Sequence, residues 1–236
     1  YGVANKMSHQ VNKFLQSKIA TGEYEESWQK IYEFYKKRLF HQLTEEILDF
    51  FSSTRDGDVD FLMVYQILVQ DFSKRMNSIS LARIIVMVAA KLKKNDLDNS
   101  ISFIVEQLNH VQIKDNTSAI IIVKSYCAKL YLYKSQILSA HDLLAELRLL
   151  IEAMSNVDIS HIYFYDASLF YHYQNSDYAS YFHDSLKFFG LTESDSLYID
   201  GFYLINISDD SVDKVYYIAL SSVMSPSITN VGAVVI

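Results

Sequence analysis

Proline and glycine are scarce in this chain: one Pro and six Gly occur in 236 residues. Both interrupt helices, so their shortage over this length favours long helices joined by short turns. It argues against a β-sandwich or a doubly wound sheet, which use glycine at their turns. Cysteine is scarcer still. A lone Cys127 excludes an internal disulfide and suits a reducing compartment. Positive charge is also in deficit. A net charge of −7 argues against a primary role on nucleic acid, where Lys and Arg must neutralise phosphates. No apolar run is long enough to span a bilayer: the most apolar stretch, 79–92, carries Arg83 and Lys91 and is too short. The phosphate-binding, dinucleotide-binding and nucleophile-elbow glycine patterns are all absent. No basic stretch followed by an apolar one opens the chain, so no signal peptide is expected. It begins at Tyr1 rather than Met, and the native N-terminus is expected to lie upstream.

What is present is apolar and periodic. Half the residues are hydrophobic and 14% aromatic, ample material for a continuous core. Apolar residues recur at three- and four-residue spacing almost throughout, which predicts helix after helix. Met7, Val11, Phe14, Leu15 and Ile19 outline the first, closed near Thr21 and Gly22. Trp28, Ile31, Tyr32 and Tyr35 form a second, and Leu39, Leu43, Ile47 and Phe50 a third. Almost no linker separates these two, so they are expected to fold back as an antiparallel hairpin with Trp28, Leu39 and Leu43 buried between them. Val59, Leu62, Met63, Gln66, Val69 and Phe72 predict a fourth helix, ending near Met76 and Asn77. Ser80 is the expected N-cap of the next, which buries Leu81, Ile84, Ile85, Val88 and Leu92. Leu97, Ile101, Ile104, Val105 and Leu108 follow, then helices near 118–133, 136–154, 159–174 and 176–189. Such a series, with turns of a few residues, is the signature of a helical solenoid. Ala128 and Ala140 place small residues where two helices of a tetratricopeptide-like hairpin cross closely, although Ser135 and Gln136 replace the usual turn glycine.

The expected fold is therefore all-α, a right-handed solenoid of antiparallel helix hairpins. Residues 1–192 form its arm. Beyond Gly190 the phase is lost and 193–210 reads as a linker; helical phase returns with Val212, Val215, Tyr216, Ala219, Leu220 and Val223, until Pro226 stops it.

Reactive chemistry finds little footing. Asp56, Asp58 and Asp60 alternate like the first ligands of a calcium loop, yet Phe61 and Ile67 stand where that loop needs its glycine and its bidentate glutamate. A solvated acidic turn that favours a helix N-terminus is the better reading. No two of the seven histidines have the i, i+4 spacing of a helical metal site, and His161, His172 and His183 stand eleven apart. Cys127 lies among apolar neighbours, where a thiol is buried and inert. The clusters Lys36, Lys37, Arg38 and Lys91, Lys93, Lys94 sit near predicted helix ends, where cations offset unpaired carbonyls. The 18 Tyr and 14 Phe are interleaved with acidic residues rather than cations, which suits helix packing and a protein interface better than base stacking. No catalytic, cofactor-binding or metal-binding residue is assigned, and no nucleic-acid, membrane or small-molecule partner.

Four stretches, in order, resemble one family. The run from Trp28 to Leu43, with Leu39, Phe40, Gln42 and Leu43 at its end, resembles the early hairpin of the PCI-domain non-ATPase subunits of the 26S proteasome regulatory-particle lid. Within them it is most similar to the family numbered nine in budding yeast and thirteen in mammals. The junction from Phe72 to Leu81, the aromatic pair of helices from Phe164 to Phe189, and the segment from Val215 to Gly232 are similar to the same family. Tyr217, Val231 and Ala233 depart from its pattern, in the places of an Asp, a Phe and an acidic residue.

The resemblance implies a non-catalytic scaffold of ubiquitin-dependent degradation, in the cytoplasm and nucleus. It implies contacts with other lid subunits and with the adjacent ubiquitin-receptor subunit. Residues 211–236 correspond to the first helices of the PCI module, and the winged helix that follows in the family is not included. The apolar end from Gly232 to Ile236 is expected to lead on into those missing helices. The alternatives are a scaffold of another PCI assembly, such as a signalosome or an initiation factor, or a helical enzyme using Cys127 or histidine.

Overall fold

Three of the described helices carry apolar residues on most of their faces, and a helix of that kind must be largely surrounded. The computed structural model describes residues 2–192 except Asp56, with side chains described from His9 to Leu191. Its order is α1 (Gly2–Ala20), α2 (Glu25–Lys37), α3 (Phe40–Ser53), α4 (Phe61–Val64), a π-turn (Tyr65–Val69), α5 (Gln70–Phe72), a 3-10 turn (Ser73–Arg75), α6 (Ser78–Asn95), α7 (Leu97–Gln107), α8 (Val111–Lys114), α9 (Thr117–Tyr133), α10 (Ile137–Ala153), α11 (Ile159–Gln174) and α12 (Tyr178–Thr192). The fold is all-α and built as a helical repeat. The linker at 193–210 and the PCI helices at 211–236 fall outside the described residues.

The apolar helices α6, α9 and α11 pack side by side as a buried spine, and α7, α10 and α12 fold back against them. Leu81 to Ala90 on α6, Ile121 to Leu132 on α9 and Ser160 to Leu169 on α11 are almost continuously buried. Ala128 and Ala140 are both fully buried, the close crossing expected of the α9–α10 hairpin. In the α6–α7 hairpin Ser100 Oγ donates 2.7 Å to the carbonyl of Ala89. The spine helices begin at residues 78, 117 and 159. These steps are longer than the roughly 34 residues of a tetratricopeptide repeat. Part of the first is taken by the single turn α8, which the periodicity does not foretell.

Caps explain where the helices start and stop. Asn77, Asp96, Asn116 and Asp158 each accept a backbone N–H from the first turn of the following helix. The α6 cap is Asn77, not the expected Ser80. Asn77 Oδ1 accepts from Ile79 N at 2.8 Å, so the helix opens a turn earlier. At the other end, α2, α9 and α11 close on Arg38, Ser135 and Ser176, all left-handed with φ of 57°, 61° and 56°. The paired bonds of a Schellman motif are present at each, as in Ser135 N to Leu132 O at 2.9 Å and Gln136 N to Tyr131 O at 2.8 Å. In the α9–α10 turn, the place of the glycine usual in a tetratricopeptide-like hairpin is thus held by Ser135 in the left-handed conformation.

The N-terminal helices form the near end of the stack around Trp28. Phe14 and Phe50 lie edge-on to its ring at 6.2 and 4.7 Å, and Ile31, Leu43 and Ile47 complete the core. Leu39 is not in it: it is 39% exposed. The left-handed turn at Arg38 carries its N–H back to Phe34 O and places its side chain outside the face that Leu43 begins. Of the face expected for the next helix, Val59, Val69 and Phe72 are buried, but Leu62, Met63 and Gln66 are not. Phe61, Val64, Tyr65, Leu68, Val69 and Phe72 point inward, while Met63 is 42% exposed. The inward positions keep the three- and four-residue spacing of one helical face through the π-turn at Tyr65–Val69, and Phe61, Tyr65 and Phe72 fall on it. The large aromatic rings at 61, 65 and 72 thereby share the core. Val105 is likewise exposed, with Phe103 taking the buried place on α7.

Candidate functional site

The candidate ligands of the sequence are committed elsewhere. Asp60 caps α4, its Oδ1 accepting from Met63 N at 3.0 Å. Asp58 accepts from the Tyr24 hydroxyl at 2.6 Å, and this bond raises the phenol pKa above its ordinary value. Asp56 lies outside the described residues. Among those described, no group of three or more His, Cys, Asp or Glu side chains is placed to hold a metal ion. Cys127 is buried, and burial pushes its thiol up to about 11, far from the thiolate that nucleophilic chemistry needs. A cleft of about 390 Å³ opens between 57–62 and the end of α6, with Phe61, Leu62 and Leu92 in its wall. Its lining carries no nucleophile beside a base.

The basic clusters serve the fold. Lys91 Nζ donates 3.0 Å to the carbonyl of Thr54, the cap residue ending α3, and lies 4.9 Å from the Phe61 ring centroid. Here a cation satisfies the end of a neighbouring helix rather than of its own. Lys93 lies over Tyr133 at 3.9 Å, Lys36 over Tyr32 at 5.9 Å, and Lys37 pairs with Glu33 at 2.9 Å.

The structure does assemble one polar constellation that the sequence reading missed. Arg148 on α10 donates to Asp184 on α12 at 2.6 Å and to Ser168 on α11 at 3.0 Å. Ser168 Oγ also donates to Asp184, and His172 Nε2 stands 3.5 Å from the same carboxylate. Burial alone would raise the Asp184 pKa, but bonds from His172, Arg148 and Ser168 outweigh it and hold the carboxyl well below the usual range. The α9–α11 interface adds Lys129 and Asp166 at 2.6 Å, both nearly buried. At its edge Ser118 donates to Asp158, whose backbone N–H in turn reaches His161 Nδ1 in a capping box. Asp166 amid Tyr163 to Leu169 and Asp184 between Phe182 and Phe188 were the available signals: a lone carboxylate on an apolar face implies a buried partner. His161 and His172 enter these networks, while His183 stays exposed.

Chemically the constellation is closed. Its Arg, Lys and Asp charges are paired with one another across α9, α10, α11 and α12. What it achieves is register between successive hairpins. Leu138, Leu149, Val111 and Val157 are each more than half exposed, and no helix among the described residues is long and apolar enough to cross a membrane.

A protein family described as PSD13 N-terminal repeats matches residues 27–236. The 26S proteasome regulatory subunit RPN9 of Saccharomyces cerevisiae is 23% identical over 173 residues, covering 68% of this chain and 43% of its own. The 26S proteasome non-ATPase regulatory subunit 13 homolog B of Arabidopsis thaliana is 24% identical over 225 residues, covering 93% of this chain and 56% of its own. The chain thus spans about half the length of the curated relatives it matches.

Proposed function

Since the chain belongs to the family of PSD13 N-terminal repeats, we propose that it is a non-catalytic scaffold subunit of the proteasome regulatory-particle lid. Its task is to hold other subunits in place for ubiquitin-dependent degradation. The neighbours proposed are other lid subunits and the adjacent ubiquitin receptor, and the place of action is the cytoplasm and nucleus. Residues 1–192 are its arm, 193–210 a linker, and 211–236 the opening of the PCI module. The observation that carries this reading is the family match over nearly the whole chain, and the closed polar networks agree with it. Among the described residues, Lys129 with Asp166 and Arg148 with Asp184 hold one hairpin against the next.

The test is reconstitution. The other lid subunits are assembled with this chain in place of the corresponding subunit, and the particle is weighed by native mass spectrometry. One copy of the chain per particle is the expected result. A chain that stays free while the remaining subunits assemble would overturn the proposal. The purified chain should also cleave neither ATP nor ubiquitin chains.

A further inference from the structure

The helix α10 carries more apolar residues than its packing uses. Only Ala140, Leu144, Leu147 and Ile151 are buried along it. Leu138 and Leu149 are 81% and 70% exposed, more than the other large hydrophobic side chains described. They are not scattered. Residues 138, 142, 145, 149 and 152 follow one another at spacings of four and three, so they fall on a single stripe. The stripe reads Leu138, Asp142, Ala145, Leu149, Glu152 and runs for about 20 Å along the helix. Ala145 leaves a shallow hole between two large knobs, the relief into which a side chain of a second helix packs.

Charge identifies what fits. The one Lys or Arg on α10 is Arg148, and it is turned toward Asp184 and Ser168. The outward charge is therefore acidic: Asp142, with His141 Nδ1 3.2 Å from its Oδ1, and Glu152 lie in the stripe, and Glu146 beside it takes Lys124 at its flank. A second copy laid parallel on this face would set carboxylate against carboxylate, an antiparallel one would set Glu152 against Leu138, and an anionic membrane or nucleic acid would be repelled. We propose that the outer face of α10 docks one amphipathic helix of a partner protein, with aliphatic residues along its seam and Lys or Arg set opposite Asp142 and Glu152. The leucines supply the buried area, and the two carboxylates fix register and polarity, as charged positions do in paired helices.

The probe is a fluorescent peptide of about three heptads with Leu at the a and d positions and Lys at e and g. Its control carries Glu for every Lys. Binding to the whole chain is followed by anisotropy, with circular dichroism confirming that each variant is folded. The lysine peptide is expected to bind and the glutamate peptide not to. The double variant Leu138→Glu, Leu149→Glu, which changes only exposed positions, should weaken binding about tenfold or more. The double variant Asp142→Lys, Glu152→Lys should reverse the preference between the two peptides. Equal binding of both peptides, no binding of the lysine peptide, or indifference to the leucine variant would each overturn the proposal.

Discussion

Tyr126 ends in a hydroxyl that is buried on α9 and meets no hydrogen-bond partner among the described residues. An unpaired buried hydroxyl costs about 1–3 kcal/mol of desolvation. Tyr126→Phe is therefore expected to be neutral or to stabilise by up to about 1 kcal/mol in urea denaturation, where most buried substitutions destabilise. A loss greater than that would reveal a partner for the oxygen. Asp184 is the opposite case, because its charge is satisfied several times over. Its native pKa lies below the unfolded value of about 3.9. The native state thus binds fewer protons as acid is added, and this contribution is complete above about pH 5 and is lost as pH falls below about 4. Asp184→Asn should cost roughly 2–4 kcal/mol at neutral pH, less than a fully buried pair because Arg148 is a third exposed. The deficit should narrow steadily towards about pH 2. A deficit that does not change with pH would mean that Asp184 acts through packing rather than charge.

At the scale of the element, the turns are the place to intervene. Ser135 holds a left-handed conformation that glycine adopts without strain. Ser135→Gly should raise stability by about 0.5–1 kcal/mol, and Ser135→Val should lower it. Equal stabilities would mean that the α9–α10 turn relaxes elsewhere. The early hairpin separates two leucines that looked alike in the sequence. Leu43→Ala should cost on the order of 2–5 kcal/mol, while Leu39→Ala at its exposed position should change stability by less than about 0.5 kcal/mol. That contrast marks where periodicity stops being informative. Helices α9, α10 and α11 lie within a residue or two of their expected bounds, since three-residue spacing and strong turn signals agree there. The 61–75 segment was legible as a helix but only partly in its buried face, because Leu62, Met63 and Ile67 are apolar beside Phe61, Val64, Tyr65 and Leu68 and the spacing admits more than one stripe. Ser80 and Asn77 are both capping residues one turn apart, and only the chain path decides between them. The Arg148–Asp184–Ser168 network escaped for a similar reason: its members are far apart in sequence and meet only once the hairpins stack.

At the scale of the whole described stack, most side-chain bonds between hairpins span about one repeat. Tyr24 reaches Asp58, Tyr35 reaches Asp71, Lys91 reaches Thr54, Tyr65 reaches Gln107, Lys129 reaches Asp166 and Arg148 reaches Asp184, across 34 to 42 residues in each case. Each repeat holds the next, and stability is then close to a sum of local and nearest-neighbour terms. In native-state hydrogen exchange, Leu43→Ala should therefore strip protection from α1, α2 and α3 first and leave α9 and α11 largely protected. Uniform loss along the chain would show a single cooperative unit instead. On the proposed scaffold reading, the exposed side chains are the means of action. The account therefore turns on the company the protein keeps. The most direct measurement is to tag the protein at its own locus, purify it under native conditions, and quantify what accompanies it by mass spectrometry. The account predicts proteasome regulatory-particle subunits in near one-to-one ratio with the tagged protein. Their absence, or a stoichiometric set from a different assembly, would contradict it.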